Sequence, residues 1–316
     1  MIITEEVYKK SSDKYFSSAE KIKSMVSIYK IVVITLILVF AFSHIAPVFV
    51  TDERTASVLS IIEIHSFRLA VLSPFILTAL CLTLQNLINK NKTVYVIRGT
   101  KAILDYNKSP FSQKTADSLK SAISSVKNRN TAYYLCCLLF NSYMMNGDFI
   151  SAYDTLYEDK KLFEKRKYRE IDYQVLRLVY YSEGSPDIVN AEAAYNRINE
   201  IFHSIKKSEN DFLLCSSALN ADIRYAYIRK DYASCAELLS LKIQYLHLRI
   251  KQNAAERIFC ASDKLMLAEC LYNIGKYDEA LRICDEAGPM LVNIQYRLDK
   301  ANALAAKLHA LTDCKG

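Results

Sequence analysis

Two uncharged apolar runs near the N-terminus constrain this chain more than any other feature. They are Ile31–Val50, IVVITLILVFAFSHIAPVFV, and Leu69–Ile88, LAVLSPFILTALCLTLQNLI; neither contains Asp, Glu, Lys or Arg. Each is about 20 residues, the length at which an α-helix covers about 30 Å of hydrocarbon. Two buried core helices are the alternative, but length, absence of charge and the nearness of the runs favour two membrane spans. About 30 residues precede the first run, too many for the n-region of a signal peptide. Pro47 and Pro74 are tolerable in spanning helices. His44 is the one ionisable group in either run and reads as interfacial.

Lysines set the orientation. Lys9, Lys10, Lys14, Lys21, Lys23 and Lys30 precede the first run, only Arg54 and Arg68 lie between the runs, and Lys90, Lys92, Arg98, Lys101 and Lys108 follow. Basic residues collect on the cytoplasmic side. The expectation is a multi-pass protein of the cytoplasmic (plasma) membrane with both termini cytoplasmic. Residues 31–50 and 69–88 span, and 51–68 form a short external loop made apolar by Ile61, Ile62 and Ile64. Residues 1–30 form a basic segment in which Tyr15, Ala19, Ile22, Val26 and Tyr29 make one helical stripe. Such a helix lies on the inner leaflet, packs on the soluble domain, or runs on into the span.

The rest of the chain is written for helices. Only 6 Gly and 5 Pro occur in 316 residues, against usual frequencies of about 7% and 5%. The net charge of +7 is compatible with an anionic membrane surface or nucleic acid. The 9 cysteines are odd in number, lack C-x-x-C spacing and lie mostly in apolar helical patterns, among them Cys81, Cys215, Cys235, Cys270 and Cys284. They read as reduced, buried thiols.

Residues 89–130 read as a juxtamembrane helical segment broken at Ser109-Pro110, with Ser112 or Thr115 capping a helix to about Val126. From Thr131 a pattern recurs: an apolar helix, a tight turn, and a second helix. The turns fall at Gly147, Lys230 and Gly275. Each is followed two residues later by an aromatic (Phe149, Tyr232, Tyr277) and five residues later by a small residue (Ala152, Cys235, Ala280). The interval from 147 to 230 is about twice that from 230 to 275. A further unit is therefore expected between them, from Tyr173–Tyr181, a turn at Gly184-Ser185-Pro186, and Val189–Phe202.

At these residues the chain resembles the tetratricopeptide-repeat family. The copy with Leu267, Ala268, Leu271, Gly275, Tyr277, Ala280 and Ala287 matches best, and Leu139, Tyr143, Gly147, Phe149 and Ala152 match well. The copy at Lys230 departs, having no turn glycine and Ala226 where a large residue is usual. Intervals longer than the family's roughly 34 residues make the repeats tetratricopeptide-like rather than strict. With the two apolar runs read as transmembrane helices, the expected chain is all-α, and the resemblance implies an antiparallel helix-pair solenoid after them, over residues 131–316. Its last helix carries Leu291, Ile294, Leu298, Ala301, Ala305 and Leu308 on one face, with Arg297, Lys300 and Lys307 opposite, as a terminal cap. The resemblance also implies a concave groove for a protein or peptide. Its wall positions, six and three residues before each turn, are Asn141, Arg224, Glu269, Met144, Tyr227 and Tyr272, with Asn220 and Asn273 projecting the same way.

No catalytic pattern accompanies this scaffold. The histidines are scattered, and there is no H-E-x-x-H, Gly-rich phosphate loop or G-x-S-x-G elbow. Neither a metal site nor a cofactor is expected, and the chain does not read as an enzyme. The densest basic cluster is Lys160, Lys161, Lys165, Arg166, Lys167 and Arg169. It is either a solvated surface or a contact for anionic lipid; no helix-turn-helix or zinc pattern supports nucleic acid. The composite expectation is a membrane-anchored scaffold or adaptor holding a protein or peptide partner in its groove. The alternative is a membrane effector or channel-like oligomer with the repeats as sensor, suggested by Ser73, Thr78, Thr83, Gln85 and Asn86 in the second run. Neither the identity of the partner nor the oligomeric state is written in the sequence.

Overall fold

Three of the connections between helices are copies of one turn. Gly147, Lys230 and Gly275 all take positive φ, at 76°, 60° and 82°. In each, the amide of the left-handed residue donates to the carbonyl three residues back, and the next amide reaches five back. Asp148 N to Tyr143 O is 3.0 Å, Asp231 N to Ala226 O 3.0 Å, and Lys276 N to Leu271 O 2.9 Å. This pair of hydrogen bonds closes the end of the first helix. In two of the copies the same residue then opens the second helix: Asp148 accepts from Ser151 N at 3.1 Å and Asp231 from Ser234 N at 3.2 Å. Lys230 thus adopts the glycine conformation although it is not glycine.

The computed structural model describes residues 1–45, 55, 57–65, 67, 101–126, 129–164, 166–206, 208–249 and 253–313. The described residues are helical, with no strand among them. α1 runs Glu5–Ile45 and opens with Glu5 and Glu6, acidic residues suited to a helix N-terminus. After it come α2 Lys101–Lys108, α3 Gln113–Ser125, α4 Arg129–Asn146, α5 Phe149–Glu158, α6 Lys167–Glu183, α7 Ile188–Ser204, α8 Phe212–Ile228, α9 Tyr232–Lys242, α10 Ala254–Asn273, α11 Tyr277–Ala287 and α12 Gln295–Asp313. Side-chain caps fix several starts: Ser112 for α3, Asp187 for α7, Asp211 for α8 and Asn253 for α10. Such caps are worth about 1 kcal/mol each.

The chain divides into two compact units, Met1–Asp13 with Tyr95–Gly316, and Lys14–Val94. In the first, consecutive helices pack as antiparallel pairs: α4 with α5, α6 with α7, α8 with α9, and α10 with α11. The pair α6–α7 occupies the expected gap, but its turn at Gly184 is right-handed and differs from the other three. The small residues five after each turn, Ala152, Cys235 and Ala280, are fully buried where the paired helices meet. Tyr232 and Tyr277 pack on Tyr227 and Tyr272, with ring centroids 6.1 and 5.7 Å apart. The last helix, α12, packs on α11 and also returns to α4. There the Tyr296 ring covers Gly147 so closely that a Cβ would sit 2.7 Å from it, and it meets Phe149 edge-on at 5.6 Å. The repeat unit is therefore closed by its own final helix.

In the second unit, the described part of the first apolar run is Ile31–Ile45, at the end of α1. Fifteen residues rise only about 22 Å. Among the described residues no helix is long and apolar enough to cross a membrane. Residues 46–50, the whole of Leu69–Ile88 and residues 92–100 lie outside the described residues, as do the side chains of Ala19, Ile22, Val26, Tyr29 and His44. α1 passes through 30 and 31 without a break, running from the basic segment into the first apolar run. The described residues of the expected external loop (55, 57–65 and 67) are helical.

Candidate functional site

The expected groove wall is an internal polar network. Glu183, the last residue of α6, receives the guanidinium of Arg224 from α8 and that of Arg297 from α12, the latter at 2.6 Å. The Glu183 side chain is 3% exposed and Arg297 6%. Burial opposes ionisation of Glu183, but Arg224 and Arg297 outweigh it and hold the carboxyl well below the usual carboxylate range. On the neighbouring helix, Tyr227 Oη donates to Glu269 Oε2 at 2.9 Å, and Asn273 Nδ2 donates to the Glu269 carbonyl at 2.7 Å. Burial first, then the Glu269 carboxylate, pushes the Tyr227 hydroxyl far up.

The eight wall candidates are thus placed as follows. Arg224, Tyr227 and Glu269 come together, but they face helices of the same chain. Met144 is buried, Tyr272 packs on Tyr277, and Asn141 and Asn220 are half-buried. Asn273 alone is exposed. The spacing assigned these residues to a groove wall; α12 packs against α4, α10 and α11, and its Arg297 reaches Glu183 beside Arg224. Arg297, expected on the solvent side of the cap, is instead one of the two cations of the cluster. Glu183 and Arg297 were missed because 114 positions separate them and no local pattern links them.

A second buried cluster follows a single turn of π-helix, Ile243–His247, at the end of α9. Lys242 Nζ and His247 Nε2 reach the same Asp263 oxygen at 2.6 and 2.7 Å. Burial opposes the Asp263 charge; Lys242 and His247 overcome it and hold the carboxyl well below its usual range. Among the described residues no group of His, Cys, Asp and Glu is arranged to hold a metal ion. Burial pushes the thiols of Cys215 and Cys284 up to about 11, which keeps these two protonated.

The start of the chain is also built into this unit. Asp222 of α8 accepts from Ile2 N at 2.7 Å, from Ile3 N at 3.1 Å and from Tyr195 Oη at 2.7 Å, all buried. Burial pushes its carboxyl up, against the pull of these donors. Further along, Ser12 Oγ donates to the Tyr245 carbonyl at 2.9 Å, and Arg249 reaches Asp13 at 2.5 Å. Tyr8 is fully buried against Phe212.

The basic cluster is split by burial. Arg169 is 5% exposed, bonded to Asn130 and the Leu162 carbonyl, with its guanidinium 4.8 Å over the Tyr133 ring. It is a core residue, not part of a lipid-facing surface. Lys160, Lys161, Arg166 and Lys167 are exposed; Lys160 faces Glu164 at 3.9 Å and Lys167 donates to Ser204 Oγ at 3.0 Å. Lys165 lies outside the described residues.

Beside Lys160 a cleft of about 270 Å³ opens between α5 and α6, walled by Tyr153, Tyr157, Tyr173, Tyr180 and Tyr181 around Arg177. Sequence reasoning passed over it, because the tyrosines come from two helices and mark no motif. Spacing does carry a signal: Tyr153 and Tyr157 are one helical turn apart, as are Tyr173, Arg177 and Tyr181. The chain matches no family model, and no curated protein is significantly similar to it.

Proposed function

We propose that the chain is a membrane-anchored, tetratricopeptide-like scaffold that presents an exposed face of its helix pairs to a protein or peptide partner. The observation that carries the reading is the end of α1. Over Ile31–Ile45 it has no charged residue, and Ile31, Ile34, Leu38, Phe42 and Ile45 are each more than half exposed. Apolar side chains left in the open over so much of a helix call for a cover. The second apolar run and the lysines flanking both runs support a bilayer as that cover, with both termini in the cytoplasm. Lys160, Lys161, Arg166 and Lys167 add a surface suited to anionic headgroups. Because tethering raises local concentration, modest affinity for a partner is sufficient. Alkaline carbonate washing of membranes tests the anchor. The chain is expected in the pellet, and after proteolysis of spheroplasts both termini are expected to be protected. Release into the supernatant overturns the reading.

The partner is met outside the network around Glu183, since those groups already bond to one another. Capture of a partner that is lost on Lys161→Glu, an exposed change, supports an outer docking face. A change at Arg224 reads only stability.

One observation favours a second reading, in which the repeats sense a signal and the membrane segment responds. α1 starts inside the repeat unit, clamped at Ile2 and Ile3 by Asp222 and at Asp13 by Arg249. A purified protein that stays monomeric in detergent and leaves vesicles intact eliminates a channel-like form.

A further inference from the structure

The tyrosine cleft between α5 and α6 has the composition of a peptide-recognition site. Tyr153 and Tyr157 present nearly parallel rings, 12° apart with centroids at 6.4 Å, and Tyr180 closes on Tyr153 at 5.3 Å. Tyr157 is 74% exposed, so this aromatic surface is uncovered. On the α6 side Arg177 lies over the rings of Tyr173 and Tyr181, at 6.0 and 5.6 Å. Its Nη1 donates to Oε1 of the buried Gln174 at 3.0 Å. Among the described residues no carboxylate is paired with Arg177. The two rings and the Gln174 bond hold the guanidinium in place, and a carboxylate entering the cleft would meet a positive charge there, with charge-assisted hydrogen bonding open to it. Among the described residues no Asp or Glu lines the cleft, whose charged lining residues are Arg177 and Lys160, the latter facing Glu164 at 3.9 Å.

From this juxtaposition we infer that the cleft binds an extended segment of a partner protein carrying proline next to an acidic residue. Proline rings stack on tyrosine faces, and a polyproline-type segment arrives already ordered, so little entropy is lost on docking. The acidic side chain pairs with Arg177, and Lys160 at the mouth adds to the attraction. About 270 Å³ is room for two or three side chains rather than a folded domain. The inference rests on the reading of the chain as a scaffold for a protein partner. It narrows the exposed docking face of that reading to the cleft between α5 and α6.

The test is selection of a random library of peptides, about twelve residues long, on the full-length protein in detergent. Fluorescein anisotropy then measures the selected sequences against wild type, Tyr157→Ala and Arg177→Glu. The expected sequences contain proline within two or three positions of Asp or Glu. They bind at least tenfold more weakly to Tyr157→Ala and to Arg177→Glu, and to wild type when their acidic residue is changed to Lys. Tyr157 is exposed, so its variant keeps its fold, which thermal unfolding checks. Selected sequences that lack proline or acid, or that bind both variants as well as wild type, overturn the cleft while leaving a scaffold standing. No saturable selection at all overturns both readings. Loss of binding to phosphatidylglycerol vesicles in both variants, without peptide binding, assigns the cleft to lipid and overturns the inference.

Discussion

Arg297 of α12 and Glu183 of α6 bond at 2.6 Å across 114 positions of sequence, with both side chains almost wholly withdrawn from solvent. This pair, shared with Arg224, holds the final helix over the inner face of the others. Removing one member of a buried ion cluster leaves uncompensated charge, at a cost of about 3–5 kcal/mol. Glu183→Ala leaves two guanidiniums facing each other. The expected result is a loss of that order in urea unfolding, with Glu183→Gln intermediate.

The buried carboxylates set a pH dependence. Glu183 and Asp263 both have folded-state values below their ordinary ones. Their contribution is complete above the unfolded values, near 4, and is lost as pH falls toward the folded values. Asp222 is shifted the other way: its contribution is complete below the unfolded value and declines as pH rises through the folded one. Asp159 is also raised, but the two large depressions at the buried Glu183 and Asp263 outweigh these elevations, and stability falls on acidification below about pH 4.5. Urea midpoints from pH 7 to about pH 3 check this, and the slope should flatten in Glu183→Gln.

The three equivalent turns separate backbone strain from packing. Gly275 has open space around its Cβ position, so Gly275→Ala reads the positive φ alone, about 1–2 kcal/mol. Gly147→Ala meets the same strain and also strikes the Tyr296 ring, so it should cost more and loosen α12. Lys230→Gly relieves strain at φ 60° and should stabilise by up to about 1 kcal/mol, less the added freedom of the unfolded chain. Thermal melts of the three variants rank them.

Asp222→Ala removes the acceptor for Ile2 N, Ile3 N and Tyr195 Oη at once. Each stranded donor costs about 1–3 kcal/mol if it stays buried. The cheaper response is release of the first residues into water, where their amides are solvated. Hydrogen exchange at Ile2 and Ile3 is expected to rise by orders of magnitude while exchange in α10 is little changed. Equal protection in both proteins contradicts the clamp.

Much of the repeat architecture was legible because it is local. An aromatic two residues after a turn and a small residue five after it marked the turns at Gly147, Lys230 and Gly275, and interval length located α6 and α7. The cap at Ser112 was legible for the same reason. The closure was not. On a helical wheel Arg297 falls on the polar side of α12, and only the position of Glu183, in another helix, makes that side an interior. Arg169 is similar: five basic neighbours advertise a surface, yet Tyr133, Asn130 and Leu162 take it in. The docking of Ile2 and Ile3 has no periodicity to read, since a segment of that length makes no face. The tyrosine cleft needed two helices brought side by side before its rings formed a wall.

The Ile2–Asp222 contact also dictates an order of events during synthesis. Ile2 leaves the ribosome 220 residues ahead of its acceptor. At about 5–20 residues per second, that is about 11–44 s in which the first residues have nothing to dock on. The apolar stretch from Ile31 emerges within the same interval, before α8 exists. The clamp is therefore a late step: Ile2 and Ile3 wait for a repeat unit finished after them, and only a chain translated through α8 can make the contact.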